Sequence, residues 1–363
     1  MSSSTLLKVR QLSIIVVAWV MIGFIMAVYD HLVIHTSNSL GPSPDYSFLL
    51  LAIRNIGGGL IGSLIGGSFL VFGVNVKYQD KPYGYTILAV GVAFLLIIAF
   101  ITLVMGITMV PYQTGKPLAH PVTQAALFAF LRDPSHLKAA VAWSLVVAVT
   151  QLLLQVSFKF GQGTFWDMIR GKYNLPKAER RIFMFVDLNA STTIAERLGN
   201  ETYHALLKDF FADITNPILD NKGSIYQYVG DEVVVSWRYE EGIEKASCIR
   251  CFFAMKREIE QKQARYLRQY GLVPTFKAGI HGGSVIAGEV GILKRDVTFS
   301  GDVLNTTARI QSKCKEFNVE LIASEELVGQ LPLADHFTVH SLGTIKLRGK
   351  QQEIQLRALQ PLA

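Results

Sequence analysis

Two aspartates stand where a carboxylate can do chemistry. Asp187 closes a strand-like run, Ile182 to Leu188, and Asp231 follows Gly230 between two further runs, Ser224 to Val229 and Glu232 to Trp237. Two strand-like runs separated only by Gly-Asp read as a hairpin. Pairing of these strands would bring both carboxylates together, and without a counterion they would repel and raise one pKa. A bound Mg²⁺ removes that conflict, because Mg²⁺ takes one or two carboxylates and completes its shell with phosphate oxygens. Directly after Asp187, Asn189-Ala190-Ser191-Thr192 leads into a helical pattern. The free backbone N–H groups at Ser191 and Thr192 can therefore receive phosphate. A single strand-end Asp is ordinarily a helix cap; the pair in these settings favours the metal.

The elements that must position these groups follow from periodicity. A helical pattern runs from Ser191 to Asp220, with Leu206, Phe210, Ile214 and Ile218 at spacings of four. After the hairpin come a long helix from about Gly242 to Gln269, a strand from Phe276 to His281, a strand-like stretch from Asp296 to Phe299 and a helix from Gly301 to Phe317. Val319 to Ala323, Phe337 to Leu347 and Glu353 to Leu359 supply the remaining strands, and Gly282, Gly283 and Gly288 read as turns. The order β-α-β-β-α-β with appended elements predicts a ferredoxin-like α+β domain.

Four motifs in this order carry a family resemblance. They are Phe185-Val186-Asp187-Leu188 with Ser191-Thr192, Tyr228-Val229-Gly230-Asp231-Glu232, Thr298 through Arg309, and Leu347-Arg348-Gly349. Together the segment from about 180 to 360 resembles the class III nucleotidyl cyclases. The resemblance implies a head-to-tail homodimer with shared sites, two Mg²⁺ or Mn²⁺ ions per site, and conversion of a nucleoside triphosphate to its 3′,5′-cyclic monophosphate and pyrophosphate. On it, Asp187 and Asp231 match the metal carboxylates, with the Leu188 backbone carbonyl beside them. Asn305 matches the residue that orients the ribose, and Arg309 the arginine that stabilises charge on the α-phosphate. Arg348 stands where a Lys usually meets the terminal phosphates. Asn305, Arg309 and Arg348 would come from the protomer opposite the two aspartates.

The resemblance also locates departures. The base-selecting position, commonly Lys in adenylyl and Glu in guanylyl cyclases, is Gln227, whose amide both donates and accepts. Its partner position is Thr298, as in a mainly adenylyl bacterial subgroup, so ATP is the expected substrate. A guanylate or mixed-purine cyclase is the alternative, and a catalytically silent membrane receptor built on the cyclase fold is a third reading. The small Gly and the aromatic residue usual after the first metal aspartate are Ala190 and Ser191, which predicts a differently shaped phosphate turn.

The rest of the chain differs in kind. Residues 1 to 160 hold 9 Lys/Arg and 4 Asp/Glu with no Glu, whereas residues 161 to 363 hold 26 and 24. Four stretches, Gln11 to Tyr29, Phe48 to Val74, Gly84 to Val110 and Leu137 to Val156, are long and apolar enough to cross a bilayer. Val122 to Leu131 is too short and reads as an interfacial or packed helix. Lys8 and Arg10 precede the first stretch, Lys77 and Lys81 lie in the second loop, and Lys159, Arg170 and Lys172 follow the fourth. By the positive-inside rule both termini are cytoplasmic and the chain is a multi-pass protein of the cell (inner) membrane, in contact with lipid. Lys116, Arg132 and Lys138 in the outer loop fit this less well. Gly58, Gly62 and Gly66, with Gly59, Ser63 and Gly67 beside them, predict one nearly flat helix face.

The expected organisation is a four-span all-α domain over 1–156, a connector over 157–181 and the cyclase-like domain over 182–360. The basic excess lies mostly in the apolar part, so the sequence pI of about 9.2 gives no reason to expect nucleic acid. Three cysteines cannot make a disulfide framework. Cys248-x-x-Cys251 reads as a buried helix face, and the basic residues from Lys256 to Arg268 as a solvated one.

Overall fold

The structure is a computed structural model, and it describes residues 3–36, 46–74, 77–78, 81–293, 295–333, 336–346 and 353–362. It divides into two compact units, Leu6–Phe165 and the chain from Trp166 onward.

The first unit is helical. Helix α1 covers Ser3–Thr36, and α2 covers Phe48–Gly62 and continues as π-turns over Ser63–Gly67 and Phe69–Val74. Helix α3 follows at Tyr83–Thr114, a short α4 at Pro121–Leu131, α5 at Pro134–Phe160 and α6 at Gln162–Ile169. Four helical stretches here are long and apolar enough to cross a membrane. Trp19 of α1 is the centre of their packing: it is buried among Leu70, Val90 and Val147, and its indole N–H donates to Thr150 at 2.9 Å. The small-residue face that packs is Gly59, Ser63, Gly66 and Gly67, all buried, whereas Gly58 is exposed. A Cβ on Gly59 would lie 2.6 Å from the Trp19 carbonyl oxygen, and one on Gly66 2.7 Å from the Phe94 ring. Of the predicted row Gly66 packs closely, whereas at its other end the close approach falls at Gly59 rather than at Gly58. His31 and His35 are engaged locally, His31 Nδ1 with the Tyr46 hydroxyl and His35 Nδ1 with the His31 carbonyl, both at 2.7 Å.

The second unit is built on one eight-stranded sheet. Strand β1 is Lys177–Leu188, starting ahead of the predicted Ile182, and is followed by α7 Ser191–Leu198 and α8 Asn200–Asp220. The predicted single helix breaks at Gly199, which takes φ 75°, a conformation that favours glycine. Strands β2 Ser224–Val229 and β3 Glu232–Arg238 form the hairpin, and α9 Tyr239–Ile243, α10 Ser247–Gln261 and α11 Gln263–Tyr270 replace the one long helix expected there. Lys245 and Ala246, both with φ near 52–53°, interrupt it. Then come β4 Phe276–Val290, β5 Asp296–Ser300, α12 Asp302–Phe317, β6 Leu321–Ser324, α13 Glu325–Val328, β7 Phe337–Lys346 and β8 Glu353–Pro361.

The strand order β2-β3-β1-β4 is the ferredoxin-like core, extended by β6, β8 and β7, with β5 paired to β4. Side chains alternate across β1. Ile182, Met184, Val186 and Leu188 join the large core with α8, α10 and α11, while Phe183 and Phe185 pack on the opposite face with Val303 of α12. Gly282, Gly283 and Gly288 are not turns, as their composition suggested, but lie inside a long β4. Two of them are there for space: a Cβ on Gly282 would meet the Tyr239 ring at 2.9 Å, and one on Gly283 would meet Val303 at 2.8 Å.

Candidate active site

Strand register assembles the site. Asp187 of β1 lies directly opposite Glu232 of β3 on one side and Lys277 of β4 on the other. Directly opposed residues of antiparallel strands share a face, so Glu232, Asp187 and Lys277 form a row across three strands. Asp231 sits beside this row in the turn after Gly230, whose φ of 63° makes the tight reversal. Burial, and then the charges of Asp187 and Asp231, push the Glu232 carboxyl up to about 7, with Lys277 opposing. Three crowded carboxylates are what a divalent cation would relieve.

The donor set is all oxygen, which suits Mg²⁺ or Mn²⁺. Among the described residues, no three His, Cys, Asp or Glu side chains converge to hold an ion unaided. Any ion here would complete its shell with substrate phosphate and water, as Mg²⁺ sites commonly do.

The phosphate turn follows at once. Asn189 is tied back to Thr275, its N–H donating to the carbonyl at 2.9 Å and its side-chain amide to the hydroxyl at 3.1 Å. Ala190 then takes φ 53° and ψ 32°, and no side chain caps α7. The glycine-like backbone shape is thus reached with alanine, at a cost of about 1 kcal/mol. Ser191 and Thr192 occupy the first turn of α7, where N–H groups are free for an anion. Burial, together with the charges of Asp231 and Asp187, raises the phenol of Tyr203 on α8 above its ordinary value.

Helix α12 presents two faces. Val303, Thr306, Thr307, Ile310, Gln311 and Cys314 are buried against the sheet. Asn305 is exposed and Arg309 half-buried, and no hydrogen bond or ion pair joins either side chain to Asp187 or Asp231 among the described residues. Instead Gln311 reaches inward, its Nε2 donating to Asp187 Oδ2 at 3.1 Å. Lys277 Nζ donates to the same oxygen at 2.5 Å.

Gln227 is exposed on β2, and Thr298 is half-buried on β5. An aromatic contact joins their strands: the Phe299 N–H donates to the Tyr226 hydroxyl at 3.3 Å, and the two rings lie 5.0 Å apart. Arg181 also stacks on Phe299, 4.5 Å from its centroid. Arg348 lies outside the described residues.

The plainer readings are also placed. Cys248 and Cys251 are free and buried, and burial pushes the Cys248 thiol up to about 12. Of the basic helix residues, Lys256 pairs with Glu320 at 2.6 Å and Lys262 with Asp213 at 2.8 Å.

Glu232, Lys277, Tyr203 and Gln311 were not singled out by sequence. Glu232 was nearest to being legible, since it follows Asp231 and must face Asp187 if the hairpin pairs with β1.

Known proteins agree with this architecture. Adenylate cyclase 2 of Rhizobium meliloti (strain 1021) is 35% identical over 207 residues, 57% of each chain. Adenylate cyclase 1 of the same organism is 29% identical over 178 residues, 48% of this chain and 26% of that one. The chain thus spans little more than half, or less, of the length of these relatives. A solved bacterial light-regulated adenylyl cyclase shares the fold with a TM-score of 0.52 at 23% identity, covering 60% of this chain and 62% of that one. Residues 176–358, half of the chain, match the adenylate and guanylate cyclase catalytic domain, and the chain belongs to that family, the class III nucleotidyl cyclases.

Proposed function

We propose that this chain is a membrane-anchored adenylate cyclase that converts ATP to 3′,5′-cyclic AMP and pyrophosphate at sites shared by two copies. The observation that carries this reading is the Glu232–Asp187–Lys277 row with Asp231 beside it, directly ahead of an uncapped helix start.

Asp187, Asp231 and the Leu188 carbonyl would hold two Mg²⁺ or Mn²⁺ ions. When bound, these supply Lewis-acid activation of the ribose 3′-hydroxyl and neutralise phosphate charge. The N–H groups of Ser191 and Thr192 receive phosphate oxygens at the positive end of α7. Arg309 offers a guanidinium that is always charged and grips phosphate as a fork, Asn305 orients the ribose, and Arg348 meets the terminal phosphates. Gln227 and Thr298 face the base.

The outward position of Asn305 and Arg309 supports their serving the partner's aspartates. Ile292 and Leu293, 89% and 104% exposed between β4 and β5, support a second copy as the surface that covers them. The four apolar helices support the membrane anchor, and the loop charges support a cytoplasmic catalytic domain in a multi-pass protein of the cell membrane. Lys138, one of the outer-loop cations, pairs with Asp30 at 2.7 Å, which reduces its weight against that orientation.

The test is turnover of ATP and GTP, compared directly, by the full chain in nanodiscs with Mg²⁺ or Mn²⁺. Cyclic AMP from ATP is expected, and Asp231→Asn abolishes it. Preference for GTP would replace the substrate with guanosine nucleotide, a change the Gln227 amide permits. Nucleotide binding without any product would favour the silent receptor.

A further inference from the structure

We infer that the affinity of Asp187 for a divalent cation is set by two opposed neighbours: Gln311 orients the carboxylate, and Lys277 competes for it. The inference rests on Asp187 being a metal ligand, as proposed above, and concerns residues of this chain that neither the motifs nor the periodicity marked.

Both side chains converge on one atom. Lys277 Nζ lies 2.5 Å and Gln311 Nε2 3.1 Å from Asp187 Oδ2, while Oδ1 takes no hydrogen bond among the described residues. The terminal torsion of an aspartate is broad, so a carboxylate held at one oxygen by two donors from different elements loses that freedom. Asp187 is left with a single oriented oxygen for an ion.

The two donors differ in kind. Gln311 is neutral, only 7% exposed, and carried by a helix seated tightly on the sheet: a Cβ on Gly279 would lie 2.3 Å from the Gln311 backbone nitrogen. It can orient Asp187 without electrostatic penalty to an arriving cation. Outer partners that fix a ligand in this way typically change metal affinity by about 10–100-fold when removed. Lys277 is a fixed positive charge on the same carboxylate, its side chain only 17% exposed. In the absence of a metal it balances the crowding by Asp231 and Glu232. An arriving dication must share Asp187 with it and is repelled by it.

The two roles predict opposite signs. Mn²⁺ is titrated into the full chain in nanodiscs without nucleotide, and free ion is read from its electron paramagnetic resonance signal. Gln311→Met, similar in length but lacking the amide, weakens Mn²⁺ binding by about tenfold or more. Lys277→Met tightens it by about three- to tenfold, and Lys277→Arg, which keeps the charge, stays near wild type. Thermal unfolding of each variant separates these effects from loss of fold, since general destabilisation cannot move the two affinities in opposite directions. Unchanged affinity in folded Gln311→Met, or shifts of the same sign in Gln311→Met and Lys277→Met, would overturn the inference. A wild-type chain that binds no Mn²⁺, or binds it equally well as Asp231→Asn, would instead overturn the metal reading beneath it.

Discussion

At the scale of residues, the site is an arrangement of charge on one sheet face. Asp187 and Asp231 were legible as a pair: a strand-end Asp alone is ordinarily a helix cap and a hairpin-tip Asp a turn residue, but two such carboxylates brought together by strand pairing call for a counterion. Lys277 and Gln311 were not legible. A Lys in a strand and a Gln in a helix are ordinary surface residues until register and helix packing aim them at a particular carboxylate. Arg309 shows the converse: its motif marks it, yet in this protomer it touches neither aspartate. Arg309→Ala should lower the rate of product formation by about 10²–10³-fold, the usual loss when one donor to developing charge is removed. Its unfolding temperature should stay near wild type, because the side chain is outside the core. Cyclic nucleotide production and thermal unfolding measured on the same preparation check both halves, and a rate within a few-fold of wild type would remove Arg309 from the site.

At the scale of elements, two contacts govern how the site is held. The first is α12 on β4 at Gly279. Gly279→Ala would force the helix away from the sheet, with a loss of about 1–3 kcal/mol from overpacking and disturbance of the Gln311 bond; denaturant unfolding measures it, and an unchanged midpoint would mean that α12 has room to shift. The second is the segment before β1. Tyr173 is buried and its carbonyl accepts from the Glu289 N–H at 3.1 Å. Its hydroxyl, Lys172, Glu179 and Arg181 form one polar cluster, with Arg181 NH2 2.8 Å from Glu179. Burial raises the Glu179 carboxyl, but hydrogen bonding and charge from Arg181, then Lys172, outweigh it and leave the group below its ordinary value. A depressed carboxyl contributes stability above its unfolded pKa and loses it as pH falls through the folded one. Glu179→Gln should therefore be less stable than wild type at pH 7, and the gap should close under acid. Unfolding temperatures at pH 7 and pH 3 test this, and a gap that does not depend on pH would contradict it. Sequence periodicity found nearly every element here but missed the breaks at Gly199 and Ala246 and the length of β4. Those depend on left-handed backbone and on close neighbours, neither of which alters a hydrophobic period.

At the scale of the whole molecule, neither Asn305 nor Arg309 bonds to Asp187 or Asp231 among the described residues of one copy, and the function proposed above has two copies share each site. Chains carrying Asp187→Ala and chains carrying Arg309→Ala should each be strongly impaired, and mixed dimers should regain one working site, since each supplies what the other lacks. Product formation in co-expressed, doubly tagged dimers measures this; confirmed mixed dimers without activity would refute sharing. The sequence by itself determined the division into an apolar and a charged half, the ferredoxin-like order of elements and the placing of Asp187 and Asp231 at a strand end and a hairpin tip. All three depend on local composition and spacing, which a chain carries before it folds. Only the tertiary structure decided that Glu232, Asp187 and Lys277 form one row, that Gln311 faces inward while Arg309 faces out, and that Gly59 rather than Gly58 packs against Trp19. These depend on strand register and on the rotation of one element against another, where a shift of a single residue changes which side chain meets its partner.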